Sequence, residues 1–323
     1  MSACVRWVVV AATIAVLAGR SVSAPPALKE KVLLEWKVPE GGALALKTSM
    51  ENLEPGSGDV DLKPIFEALA QMLGVDEALK EAQQTEPTPE QIARDRQITR
   101  EMKQSFRALQ LPDSYSTTTV LTPRPNGNLS VKIIMALSPE MEKPKESPAK
   151  FFRDMLKGVQ LRGEITPRGK IASFWLESKQ KNLLAMFFGL PGRPVKVGDV
   201  WPLEVSLVSM GHGFICETAS RVNQVRLVSV EDTGDGDRVA TLDYLLFERV
   251  EGRFKMPMGG KAVPSTMAFG FTGRGKFLVG KGRWRKFVAV TETTSTGFMP
   301  GHAKQRLAME PMDKVPKAYL KME

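Results

Sequence analysis

A glycine, four residues, then Gly-Lys stand at Gly275–Gly282 in the order GKFLVGKG, one residue short of a phosphate-binding loop. Such a loop cradles a phosphate in successive backbone amides and follows its lysine with a Ser or Thr that holds magnesium. Here Gly282 takes the metal-ligand position, and the residues from Lys276 to Val279 are mainly strand formers. The RWRKFVAVTETT that follows is β-rich and offers an anion no helix N-terminus. These residues are expected to make a hairpin turn.

The carboxylates invite a similar test. Asp232-Thr233-Gly234 has the order of an aspartic protease loop, but a sharing dyad needs two copies and the chain has one. Asp235 and Asp237 extend the cluster without the ligand spacing of a calcium loop. A turn between strands accounts for all of these residues. Glu217 and Asp243 are the acid pair a hydrolase could use, although nothing in their spacing demands it. His212 and Cys216 are four apart among strand-favouring residues; on a strand that spacing is ~13 Å, too far to share one ion. His302 sits in a loop-like PGHAKQ. No cofactor, metal site or catalytic group is expected.

A basic and aromatic run remains. Arg274, Lys276, Lys281, Arg283, Trp284 and Arg285 form the candidate ligand-binding patch, facing an anionic polymer or lipid headgroup. Strand alternation would set Arg283 and Arg285 on one side, with Trp284 and Lys286 on the other.

The elements that must position these residues read mostly as strands. KVLLEWKV and ALALKTSM suggest a pair joined at Pro39–Gly42; SYSTTTVLT and LSVKIIMAL flank Asn126-Gly127, a strong hairpin signal. Residues 61–110 differ. Ile65, Leu69, Met72 and Leu73, then Ile92, Ile98, Met102, Phe106 and Leu109, recur at helical intervals, with Thr88 as N-cap. They predict a helical insertion laid over a sheet. Glycine, strand, glycine turn and returning strand recur at Gly163–Gly169 and Gly275–Gly282, which suggests a duplicated antiparallel unit.

The ends and the composition bound the setting. Arg6, the uncharged run WVVVAATIAVLAG and RSVSA have the order of a secretory signal peptide, shorter than a membrane span. Val22 and Ala24 suit cleavage after Ala24, but Pro25 follows directly and disfavours it; cleavage after Ser23 and retention as an uncleaved anchor are the alternatives. Without Arg6 and Arg20, 43 of the 45 basic residues face 36 acidic ones, a formal charge of +7. Cys216 is then the lone cysteine, so no internal disulfide forms. Export makes nucleic acid an unsuitable partner.

Near the midpoint, Leu190-Pro191 precedes Pro194, Val195, Val197, Gly198, Asp199 and Trp201. This segment resembles the connector between two related halves in a family of uncharacterised exported bacterial β-proteins. The resemblance implies an all-β, duplicated fold in the cell envelope and implies no reaction. Read physically, Gly198 permits a turn, Asp199 bonds nearby amides, and Trp201 plugs the edge of a core.

The expectation is thus a mainly β chain, all-β to α+β. After a signal peptide at 1–24 come a first β unit at 25–189, carrying the helical insertion, and a second at 190–323. They form two related antiparallel sheets or half-barrels. The expected role is non-enzymatic, binding or structural, in the periplasm, envelope or outside, on an apolar, lipid-like or anionic ligand. Methionines and the phenylalanines of NLLAMFFGL could line an apolar cavity or simply fill a core. No transmembrane span is expected after cleavage, and the sequence leaves the oligomeric state open.

Overall fold

A computed structural model describes residues 31–39, 42–54, 114–136, 158–174, 181–203, 205, 207–208, 214–255, 262–297 and 300–321. The expected signal peptide, the helical insertion at 61–110 and His212 lie outside these residues.

The protein is mainly β, and its strands form one antiparallel sheet. In chain order they are β1 (Leu44–Asn52), β2 (Ser114–Pro123), β3 (Leu129–Ala136), β4 (Gly158–Ile165), β5 (Ile171–Phe174), β6 (Val200–Trp201), β7 (Phe214–Asp232), β8 (Arg238–Phe254), β9 (Val263–Leu278), β10 (Arg283–Thr296) and β11 (Gly301–Pro311). Two short helices are described, α1 (Lys181–Phe188) and α2 (Lys317–Lys321). The eleven strands lie in the order β5-β4-β3-β2-β1-β11-β10-β9-β8-β7-β6. Each run, β1–β5 and β6–β11, is therefore a meander, and the two join through β1 and β11 into a single sheet.

The sheet has a turn end and a loop end. At the turn end, short hairpins join β2 to β3, β4 to β5, β7 to β8 and β9 to β10. Asn126-Gly127 makes the first of these, with Gly127 at φ 80° and its amide bonded to the carbonyl of Arg124. The longer connections, at 53–113, 137–157 and 255–262, all leave from the loop end.

One face of the sheet is wrapped inward. The amide of Trp36 donates to Pro167 in the β4–β5 turn at 2.7 Å, and the amide of Lys37 donates to Gly282 in the β9–β10 turn at 2.9 Å. β4 and β10 are five strands apart, about 24 Å on a flat sheet. Neighbouring amides can reach both turns only because the sheet curls. Residues 31–38, expected as a strand, instead cross the turn end as a plug. Among the described residues their single bridge is Val32 to Val195, in the connector between the sheet's two edges. The alternating apolar residues Val32, Leu34 and Trp36 are buried against the core rather than paired in the sheet.

Aromatic rings fill the wrapped face at the turn end. Trp36, Phe188, Phe271, Phe277, Trp284 and Phe287 are fully buried. Two indoles close the end of α1: Trp36 Nε1 donates to the carbonyl of Phe188 at 2.9 Å, and Trp284 Nε1 to that of Phe187 at 3.0 Å. These carbonyls belong to the last turn of a helix, which has no internal donors for them. Gly169, at φ 76°, lies so close that a Cβ would overlap the Phe188 oxygen. A second, smaller cluster covers part of the outer face, where Ala45, Val120 and Ile134 pack under Met312, Val315 and Tyr319 around α2.

Candidate functional site

The loop-like stretch 275–282 comes first. Gly275 and Phe277 belong to the end of β9, and Val279–Gly282 turns into β10. The amides a phosphate would need are occupied by the protein's own anion. Asp237 accepts from the amides of Gly280 at 2.6 Å, Lys281 at 3.2 Å and Arg238 at 2.7 Å. Burial works against the Asp237 carboxylate, but these amide bonds outweigh it and hold its pKa below the usual range. Thr233, Lys281 and the Asp237 amide together pull Asp235 down to about 2. The Asp232–Asp237 segment is thus a hairpin whose carboxylates lock the neighbouring β9–β10 turn.

The basic run divides. Arg274 makes a bidentate pair with Asp243, at 2.5 and 2.7 Å, and Lys281 bonds Asp235 at 3.1 Å. Trp284 is fully buried and spends its N–H on α1, so it lies in the core rather than on a surface. Arg283 has its Nε buried without a hydrogen-bond partner. The register of β9 and β10 shifts between Trp284 and Lys286, so Arg285 sits in an irregularity and simple alternation across it fails. Lys276 and Lys286 stand directly opposite each other and are exposed; Lys286 also meets Glu310 at 3.5 Å.

The acid pair does not assemble. Glu217 bonds Arg253 and Asp243 bonds Arg274. The residues opposite Glu217 in β8 are about nine positions from Asp243, which places the carboxylates ~30 Å apart. Cys216 is exposed with its thiol on the carbonyl of Thr218. His302 lies between Glu54 and Glu292, at 3.1 and 3.3 Å from opposite ring nitrogens. Among the described residues no group of three or more His, Cys, Asp or Glu could hold a metal. No described helix is long and apolar enough to cross a membrane.

The wrapped face changes character along its strands. Toward the turn end it is closed by aromatic rings. Toward the loop end the same face carries Met50, Tyr115, Thr117, Ile133, Met135, Phe269, Met267, Thr291 and Thr293, all only partly buried. Burial still raises the pKa of Tyr115. Deeper in, Tyr244 is fully buried among Phe271, Trp284 and Phe287, with its hydroxyl unpartnered, and burial pushes its pKa well up. Among the described residues Glu248 is the buried carboxylate of this face, opposite Arg221 in register. It accepts from Arg221 at 2.6 Å and from the amides of Leu207 at 2.5 Å and Val208 at 3.3 Å. Nothing local in the sequence marks this pair; its only signal is period-two alternation that places a glutamate among Leu246, Val250 and other inward residues.

Comparison of the chain with protein-family models, curated proteins and solved structures finds no significant match. The connector expected from the resemblance is here a turn. Gly198 has φ 92°, its amide reaches Leu227, and Asp199 bonds the amide of Lys196 at 3.2 Å. Trp201 is buried at the edge of the core.

Proposed function

We propose that this chain is an exported, non-enzymatic β-protein that holds an apolar, lipid-like ligand against the loop-end half of its wrapped face. One observation carries the reading. A single continuous sheet face is sealed by rings at one end, yet leaves Met50, Met267 and Phe269 partly exposed at the other. Apolar side chains kept partly open on an inward face, with a few hydroxyls among them, are what a pocket for a flexible ligand uses. Export rests on the leader-like N-terminus, and the two meanders that meet at β1 and β11 are in keeping with a duplicated origin. Organic extraction of the purified protein, followed by mass spectrometry, tests the reading. Stoichiometric acyl lipid is expected, and a clean extract would count against it.

A second reading is favoured by Lys276 opposite Lys286. Like charges directly across a sheet repel, and Glu310, 3.5 Å from Lys286, offsets only one of the two. An anionic polymer or headgroup on the outer face would offset the other.

A further inference from the structure

We infer that Arg221 is the head-group anchor of this ligand site, so that the ligand is an anionic amphiphile, an acyl chain ending in a carboxylate or phosphate. The inference rests on the apolar-ligand reading above and adds the chemistry of the other end of the molecule.

Register places Arg221 on the wrapped face, in a row that runs Arg221, Glu248, Phe269, Thr293 across β7, β8, β9 and β10. The next row toward the loop end is Ala219, Val250, Met267, Ser295. Among the described residues, Arg221 and Glu248 are the charged groups on this half of the face; its other members are apolar or neutral. A buried carboxylate could have been avoided if the task were only to satisfy the amides of Leu207 and Val208, since a neutral side-chain amide accepts as well. A carboxylate in that position also holds the Arg221 guanidinium, at 2.6 Å. Glu248 is 3% exposed while Arg221 is 45% exposed, so the pair has a fixed inner member and a presented outer one. A guanidinium held in this way suits the planar, bidentate recognition of carboxylate or phosphate. Phe269 lies two strands away, about 10 Å, within the first carbons of an acyl chain whose head is on Arg221.

The test uses the full-length exported protein and two fluorescent probes, a 16-carbon fatty acid and its methyl ester, which share a tail and differ in charge. The wild-type protein is expected to bind the acid about ten-fold tighter than the ester. Arg221→Gln combined with Glu248→Gln removes both charges without stranding a buried carboxylate. It is expected to abolish that preference while leaving ester binding within about two-fold. Equal binding of acid and ester by the wild-type protein overturns the role of Arg221 by itself and leaves the apolar site standing. A preference that survives in a folded double variant does the same. If neither probe binds, both the anchor and the apolar site are overturned.

Discussion

Trp36 and Trp284 meet edge to face, with ring centroids 6.2 Å apart, and donate their indole N–H groups to the carbonyls of Phe188 and Phe187. The first comes from the N-terminal plug and the second from β10. Together they fix the end of α1 inside the sheet. Trp36→Phe keeps most of the ring but leaves a buried carbonyl without its donor, so a loss of about 1–3 kcal/mol is expected in urea unfolding. Trp36→Ala adds a cavity, and its expected loss is about 3–5 kcal/mol.

Two glycine turns hold this plug. A Cβ on Gly169 would overlap the Phe188 carbonyl, and one on Gly282 would press on the backbone of Glu35 and Lys37. Both also have positive φ. Alanine at either position should destabilise by roughly 2–5 kcal/mol, strain and overlap combined. Gly127 has positive φ too, but open space around it. Gly127→Ala should therefore lose only about 1–2 kcal/mol. Equal losses at all three would contradict the plug.

The carboxylates of the β7–β8 turn set an acid response. The pKa values of Asp235 and Asp237 are lowered on folding. Their contribution is therefore complete above the ordinary aspartate value near 4 and disappears as pH falls through the lowered folded values, about 2 for Asp235. Melting followed from pH 5 to pH 2 should show this fall. Asp237→Asn should lower Tm by roughly 2–6 °C at neutral pH and flatten the dependence below pH 4.

Much of this architecture is legible in the residues themselves, where the determinants are local. Asn126-Gly127 declares its hairpin because turn chemistry needs no distant partner, and the glycines around Asp235 do likewise. Trp36 misleads, since an alternating apolar segment looks the same whether it pairs in a sheet or plugs one. Gly275 reads as the start of a short strand, two residues past Gly273. In fact they are inward positions of one long strand, where Trp284 and Phe287 rest so close to Gly275 that a Cβ would not fit. The Arg221–Glu248 pair spans 27 positions. Only the register of β7 against β8 brings it together, and period-two patterning marks it no more than any buried polar residue.

The outer-face basic residues make a separate forecast. Lys276 and Arg285 are exposed, whereas Arg283 is half-covered and Trp284 belongs to the core. Lys276→Gln with Arg285→Gln should lower the salt needed to elute the protein from an anionic resin, without changing Tm by more than a degree or two. Trp284→Ala should instead lower Tm and leave the retention of the folded fraction unaltered. Unchanged retention in the double variant would remove the outer-face reading.

Two apolar positions on opposite faces decide which face of the sheet takes the proposed ligand. Phe269 lies on the wrapped face; Leu245, 44% exposed, lies on the outer one. The measurement is saturation binding of the fluorescent 16-carbon fatty acid to the wild-type protein, Phe269→Glu and Leu245→Glu, each checked for a native thermal transition. Binding weakened ten-fold or more by Phe269→Glu and unaffected by Leu245→Glu is the predicted result. The opposite order, or no saturable binding by the wild-type protein, would contradict it.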